Sequence, residues 1–415
     1  MRTRKVRRLP PFVLLLLAQP LVAQEQAWQG VLTRLEAQIA QDVATDSVGS
    51  IAIAVIDGDR VALARAFGWA DRERRVPANA NTIYRVGSIT KSFTAVALVQ
   101  AVERGTMALD DPVERLFPAV REFPGRPEGT APITWRQLAS HTAGLTREPE
   151  LRGAASGPIA QWEEKIVASI PTTRYEHAPG ARYLYSNIGF GTLGLAVSRA
   201  ANEPYMDLVR TRILEPLGMT SSGFIVTDAM REHVAAGYAN GANGSINAEA
   251  PAREHDGRGY KVPNGGLYST VGDLGRFIAA MSGRGSARIM SESARHEMLR
   301  VQTPEDPRSG YGLGFSIATG EDGVAIAGHG GSVSGYTAHI AFDPATGIGV
   351  VLLRNYGRGA TNLGRTATTT VRELVAARRT GGVAQSPGSS CCAMRVSAAA
   401  SAGWNSKPAR SFRNE

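Results

Sequence analysis

Residues Val86 to Gly105 read V-G-S-I-T-K-S-F-T-A-V-A-L-V-Q-A-V-E-R-G. Phe93, Val96, Ala97, Leu98, Val99 and Ala101 leave this stretch apolar nearly all round, the pattern of a helix enclosed in a large core. Gly105 follows the charged pair Glu103 and Arg104 and marks a helix stop. At the amino end stands Ser88-Ile89-Thr90-Lys91, an S-x-x-K. Residues three apart share a helix face, so the hydroxyl and the amine are neighbours. A serine hydroxyl becomes a nucleophile when an adjacent base takes its proton. A lysine held one turn away in a dry site is such a base, or lowers the pKa of one. The helix amino terminus adds free N–H groups and a positive dipole end for a developing oxyanion. Standing alone, the pattern also describes a helix cap followed by a surface lysine.

The chain has 415 residues and a net charge of +9. Its apolar and charged contents are those of an ordinary globule. Residues 1–23 carry +5 through Arg2, Arg4, Lys5, Arg7 and Arg8, and residues 380–415 carry +3, which leaves +1 for the body. A basic balance confined to the ends implies no nucleic-acid partner. The basic start, the apolar run Phe12 to Ala18 and Leu21-Val22-Ala23 together read as a cleavable secretory signal over residues 1–23. That run is far short of the ~20 residues a spanning helix needs, so stable membrane insertion is not expected. The expected location is periplasmic or secreted. The body has no cysteine, and adjacent Cys391 and Cys392 lie in the tail, so no disulfide framework staples the fold.

Trp28, Val31, Leu32, Leu35, Ile39 and Val43 give a helix over residues 25 to 44. Ser50 to Ile56 and Val61 to Phe67 flank Asp57-Gly58-Asp59 as a hairpin. Residues 107–300 read mostly as helices and loops: Thr134 caps a helix beginning at Trp135, and residues 240–260 read as a long Gly- and Asn-rich loop. Strands return at Tyr311 to Ala318, Val324 to Ala327, Tyr336 to Phe342 and Ile348 to Leu353, followed by an amphipathic helix through Leu363, Ala367, Val371, Leu374 and Val375. Strands and helices at both ends with helices between them imply one α/β lobe built from both termini and an inserted helical lobe. The cleft between such lobes is the expected ligand site. Beyond Thr380 periodicity is lost, and residues 380–415 read as a disordered tail.

Tyr185-Ser186-Asn187 precedes a helix from Ile188 to about Ala201. Tyr185 is then either a core aromatic or, beside Lys91, a phenol of lowered pKa able to act as a base; Asn187 is either the helix N-cap or a holder of Lys91 and substrate. Gly328-His329-Gly330-Gly331-Ser332 reads as a connection between two strands. Its glycines are turn residues, or they let substrate lie against the backbone with the Ser332 N–H as second oxyanion donor. His329 is either a solvated turn residue or part of the site.

S-x-x-K, Y-x-N and H-x-G in this order resemble the penicillin-recognising serine hydrolases. The likeness is nearest to the class C β-lactamase branch with its esterases, DD-peptidases and D-aminopeptidases. Leu138-Ala139-Ser140-His141-Thr142-Ala143-Gly144-Leu145, Leu214-Glu215-Pro216-Leu217-Gly218-Met219-Thr220, Gly265-Gly266-Leu267-Tyr268-Ser269-Thr270 and Tyr311-Gly312-Leu313-Gly314 are similar to further signatures, and the likeness runs over about residues 30–378. It implies an α/β (α+β) two-lobed fold, with an antiparallel sheet flanked by N- and C-terminal helices and an inserted all-helical lobe. The α/β lobe would take residues 24–106 and 301–379, and the helical lobe residues 107–300. It also implies an acyl-enzyme on Ser88, Lys91 and Tyr185 as a coupled base, and Asn187, His329, Gly331 and Ser332 on the substrate, with no metal or other cofactor. His141 reads as structural. His329 stands where β-lactamases of this fold usually present the lysine of K-T-G, which pairs with the antibiotic's carboxylate. A mostly neutral imidazole anchors a carboxylate weakly. A small-molecule or peptide acyl substrate is expected, cleaved at an ester, amide or D-amino-acid peptide bond. The alternatives are a genuine β-lactamase and a non-catalytic binder of peptidoglycan or acyl ligands.

Overall fold

The computed structural model describes residues 12–241 and 245–380. The start of the expected signal and the expected tail with Cys391 and Cys392 lie outside the described residues. In chain order the strands are β1 (Ser50–Asp57), β2 (Arg60–Asp71), β3 (Val76–Pro77), β4 (Tyr84–Arg85), β5 (Ala239–Asn240), β6 (Ile246–Asn247), β7 (Tyr268–Ser269), β8 (Ser309–Tyr311), β9 (Ser316–Thr319), β10 (Ala325–Val333), β11 (Tyr336–Phe342) and β12 (Gly349–Arg354). The helices are α1 (Phe12–Asp46), α2 (Thr90–Glu103), α3 (Trp135–Ala139), α4 (Trp162–Ser169), α5 (Asn187–Ala201), α6 (Tyr205–Val209), α7 (Asp228–Arg231), α8 (Glu249–Arg253), α9 (Val262–Gly265), α10 (Val271–Met281), α11 (Glu292–Met298) and α12 (Leu363–Thr380). Helix α1 runs through Ala23 without a boundary there.

Eight strands form one antiparallel sheet in the order β3-β2-β1-β12-β11-β10-β9-β8. The hairpin β1–β2 and the C-terminal strands therefore meet at the β1–β12 pair, Ile51 opposite Arg354 and Ile56 opposite Gly349. Alternation along each strand sends side chains to opposite faces. On β1, Ile51, Ile53 and Val55 pack with Val350 and Leu352 of β12 under α1 and α12. Ala52, Ala54 and Ile56 join Val351 and Leu353 on the other face, against α2, α5 and α10. Both faces of these central strands are covered, which is why an antiparallel sheet carries continuous apolar runs here. Each Ile, Val or Leu so enclosed contributes ~1.5–3 kcal/mol of burial.

Helix α2 threads the larger core, with Thr90 to Ala101 all buried. It ends in a Schellman pair, Gly105 N–H to Val102 O and Thr106 N–H to Ala101 O, at 2.9 and 3.0 Å. Thr134 caps α3 through a capping box with Gln137. Three expectations need correction. The inserted region is not all helical: β4 pairs with β7 across it, and β5 with β6 in place of a long loop. Helix α10, inside residues 107–300, packs on the sheet rather than in a separate lobe, because its apolar stripe faces Ile56 and Phe342. Gly328 to Ser332 is not a connection. It lies within β10, paired to β11 from Ala327–Phe342 to Val333–Tyr336.

Candidate active site

Ser88 sits in a 3₁₀ turn, Gly87–Ile89, that leads into α2. The turn is fastened on both sides. Thr90 Oγ1 donates to Gly87 O at 2.7 Å and accepts from Leu267 N–H at 3.2 Å, while Val86 N–H reaches Leu267 O at 3.0 Å. Gly87 holds φ +54°, a conformation that side chains disfavour. The neighbouring strand presses on this turn: a Cβ on Gly331 would come within 1.9 Å of Val86 O. Gly331 is required by this close approach rather than by any turn. Val333 and Tyr336 close a two-residue hairpin turn, so they form a hydrogen-bonded pair and Ser332–Thr337 a non-hydrogen-bonded one. The Ser332 N–H therefore points away from β11 toward the Ser88 turn, whose Gly87 lies against Ser332 N.

Lys91 is fully buried. Its Nζ lies 3.2 Å from Ser88 Oγ and donates to Asn187 Oδ1 at 2.7 Å and to the Asn264 carbonyl at 2.9 Å. It also sits 4.8 Å from the centre of the Tyr185 ring and 5.7 Å from that of Phe190. Burial holds its pKa well below the ordinary value of 10.5, and Arg147, Arg258 and Lys261 push it further down against the pull of Glu148. Desolvation pushes the Tyr185 phenol up to about 12, outweighing the lowering influence of the Ser88 hydroxyl and of Arg147. The depression of the Tyr185 pKa that a neighbouring ammonium would bring does not occur, because desolvation of the phenol dominates.

His141 positions this tyrosine. Its ring packs 4.1 Å from that of Tyr185, and its Nδ1 accepts from the Ser186 N–H at 3.1 Å. Ser186, not Asn187, is the N-cap of α5, with its Oγ accepting from Gly189 N–H. Asn187 is thereby free to turn its side chain inward, between Lys91 and Glu148.

His329 lines the cleft but is only 5% exposed. Its Nδ1 lies 2.6 Å from Gly330 O, which can only accept, so Nδ1 carries the proton. Nε2 then accepts from the Tyr311 hydroxyl at 2.7 Å. Burial is the largest cause that pushes its pKa down to about 3. Both nitrogens are engaged and the ring stays neutral, so His329 is part of the site's wall and not a solvated turn residue.

The cleft has a volume of about 770 Å³. It runs from Ser88, past Tyr183, Tyr185 and Tyr311, along Gly330 to Ser332, to the segment 357–364 ahead of α12. Of the expected residues, Ser88, Tyr185, His329, Gly331 and Ser332 line the cleft, and Lys91 and Asn187 lie buried behind Ser88. Glu148, Asn264 and Tyr311 were not singled out for the site. Tyr311 and Asn264 lie in or beside the quoted runs Tyr311 to Gly314 and Gly265 to Thr270. Glu148 carries no such signal. Among the described residues no group of His, Cys, Asp and Glu is placed to hold a metal ion, and no helix is long and apolar enough to cross a membrane.

A family model described as Beta-lactamase matches residues 35–374. The D-alanyl-D-alanine-carboxypeptidase/endopeptidase AmpH of Escherichia coli (strain K12) is 27% identical over 318 residues, covering 73% of this chain and 78% of that protein. The Esterase EstB of Burkholderia gladioli is 29% identical over 344 residues, 74% of this chain and 86% of that one. Among solved structures, the octameric penicillin-binding protein homologue from Pyrococcus abyssi is similar with a TM-score of 0.65 and 30% identity, covering 79% of this chain and 74% of its own. The D-stereospecific amidohydrolase from Streptomyces sp. gives a TM-score of 0.63 and 25% identity, covering 86% and 97%.

Proposed function

This chain belongs to the beta-lactamase family and is a serine hydrolase, and we propose that it acts through an acyl-enzyme on Ser88 to cleave an ester, amide or D-amino-acid peptide bond. One observation carries the reading. A neutral amine has two N–H groups and one lone pair. Lys91 Nζ has two carbonyl acceptors, Asn187 Oδ1 and Asn264 O, and a hydroxyl, Ser88 Oγ. With both N–H groups donated to the carbonyls, the lone pair faces the Ser88 proton. The depressed pKa supports the neutral form that this arrangement needs.

Ser88 Oγ then attacks the substrate carbonyl carbon and its proton passes to Lys91 Nζ. The new ammonium keeps its two carbonyl partners and the faces of Tyr185 and Phe190. The oxyanion accepts from the Ser88 and Ser332 N–H groups. Tyr185, protonated at neutral pH, gives its proton to the leaving group and regains one from Lys91; the two titrate as a pair. Water next takes the leaving group's place and attacks the acyl carbon, losing its proton to the same pair; that proton returns to Ser88 Oγ as its bond to the acyl carbon breaks and the acid leaves. Neutral His329 offers no fixed cation to a β-lactam carboxylate, which favours ester, amide or D-peptide cleavage over β-lactam hydrolysis. The AmpH, EstB and amidohydrolase relatives fit this range of bonds. We also read residues 1–23 as a signal and the mature chain as periplasmic or secreted, which N-terminal sequencing of exported protein tests.

The test is covalent. A fluorophosphonate should label wild-type protein at Ser88, and a screen of short-chain nitrophenyl esters, D-amino-acid amides and nitrocefin should give turnover with the first or second class ahead of the third. No label and no turnover in any class would leave a ligand-binding protein on this fold.

A further inference from the structure

Asn187 does for Lys91 what its own amide cannot decide. A carboxamide presents either an oxygen or an NH₂ to a neighbour, and only the oxygen suits Lys91 when the amine's lone pair must point at Ser88. The choice is made on the far side of the amide. Glu148 Oε1 accepts from Asn187 Nδ2 at 2.7 Å. A carboxylate only accepts, so it holds Nδ2 and turns Oδ1 toward Lys91. Glu148 is itself fastened: its Oε2 accepts from the Tyr260 hydroxyl, Lys261 Nζ lies 3.0 Å away, and Arg147 Nε lies 3.7 Å from Oε1. No part of Glu148 needs to touch substrate for this chain of contacts to operate.

Building on the acyl-enzyme reading above, we propose that Glu148 is a positioning residue, whose carboxylate sets the orientation of the Asn187 amide and through it directs the Lys91 lone pair at Ser88. The charged and titratable groups around this pair come from several elements. Arg147 and Glu148 come from the loop before α4, His141 from the segment after α3, and Tyr185 from the approach to α5. Arg258, Tyr260 and Lys261 come from the segment between α8 and α9, and His329 from β10. Arg147, Arg258 and Lys261 oppose protonation of Lys91 and Glu148 favours it. Removing the carboxylate therefore has two consequences of distinct form. The amide loses its orientation, which slows attack. The amine loses its favourable charge, which moves the acid limb of the rate profile to lower pH.

The experiment measures the rate of fluorophosphonate labelling of Ser88 from pH 5 to 9, because labelling needs no knowledge of the substrate. Glu148→Gln keeps the shape. Lys261 favours the glutamine oxygen, which turns Nε2 toward Asn187 and forces that amide round. Glu148→Leu removes the acceptor outright. Both should label at least about tenfold more slowly at pH 7, with the acid limb displaced to lower pH. In an Asn187→Ala background either change should have little further effect on the rate at pH 7, since the amide it orients is gone, while the acid limb still moves to lower pH. Labelling within twofold of wild type, or losses that multiply with those of Asn187→Ala, would overturn the proposal. So would a slowed rate with an unmoved acid limb, which is the mark of a structural role. Should Glu148→Leu fail to fold, Glu148→Gln decides alone. Wild-type protein that does not label at all would instead remove the hydrolase reading on which this rests.

Discussion

The two walls of the cleft are built on opposite rules. The helical wall, with Lys91, Asn187 and Asn264 behind a part-buried Tyr185, buries polar groups at a cost and satisfies them with one another. The strand wall, β10 from Gly328 to Ser332, carries almost no chemistry in its side chains and works through its backbone and its closeness. His329, the polar side chain one would single out there, is neutral and held inward by Tyr311 and Gly330. The difference separates two tasks. One wall moves protons and must be electrostatically poised; the other is a template that places an N–H group and must be rigid and thin.

Breaking the helical wall should have the largest effect. Ser88→Ala removes the nucleophile and Lys91→Met the base. Residues that act as one unit each cost nearly the whole rate, so both variants should lose at least about 1,000-fold in kcat/KM while remaining folded by circular dichroism. Substantial turnover in Ser88→Ala would end the assignment of this wall.

Thickening the strand wall comes next. Gly331→Ala places a methyl within 1.9 Å of Val86 O, so either β10 or the Ser88 turn must retreat. A shift approaching 1 Å at the nucleophile is worth about 100-fold in rate. The expected signature is a fall in kcat with a modest loss of melting temperature. Wild-type kinetics would mean that the Ser332 N–H does not serve the oxyanion.

Much of this was legible from residues alone, and for identifiable reasons. β1 and β12 announce themselves because both faces of the sheet are covered, so nothing polar interrupts Ile51 to Ile56 or Ile348 to Leu353. Ser88 and Lys91 are one helical turn apart, and local geometry sufficed. β10 was illegible as a strand because glycine has no preference for strands. What selects it is the approach of Val86, a contact across more than two hundred residues of chain. How firmly His329 stays neutral was hidden for the same reason: an imidazole's pKa is a property of its burial, which only the folded chain reveals. Glu148, in the charged run Arg147-Glu148-Pro149-Glu150, reads as a solvated loop until Asn187 is seen to reach it.

His329 sharpens the comparison at moderate scale. Since its pKa lies at about 3, the ratio of nitrocefin to neutral-ester turnover in the wild type should be flat from pH 6 to 9. His329→Lys forces an ammonium into a space built for a neutral ring, and should cost a few kcal/mol of stability rather than retune preference. Chemical denaturation measures it. Acid stability follows the same residue. Its folded pKa is depressed below the ordinary 6.5, so below that pH the unfolded chain takes up a proton that the folded one refuses, and stability falls as pH drops toward 3. His255 and His339, each pushed down to about 4 by burial, act in the same window, so His329→Gln should lessen the slope without abolishing it. A pH-dependent substrate ratio would return His329 to the substrate.

The smallest effect is the most specific to a poised wall. Lys91 in the unfolded chain keeps its proton up to about 10.5, whereas the folded protein gives it up at much lower pH. Between those two values the unfolded state binds more protons, so the contribution of Lys91 to stability rises with pH and its penalty is complete below the folded pKa. Lys91→Met removes that penalty and leaves Asn187 Oδ1 and Asn264 O without their donor, a loss that does not depend on pH. The sign of the change at pH 7 is therefore a balance of two costs, but its slope is not. The melting temperature of Lys91→Met minus that of wild type should be most positive near neutrality and decline steadily as pH rises toward 10.5. The effect should amount to a few degrees in differential scanning calorimetry, with activity already lost. A difference that stays constant over that range would mean that Lys91 is an ordinary ammonium, and the helical wall would then have no base.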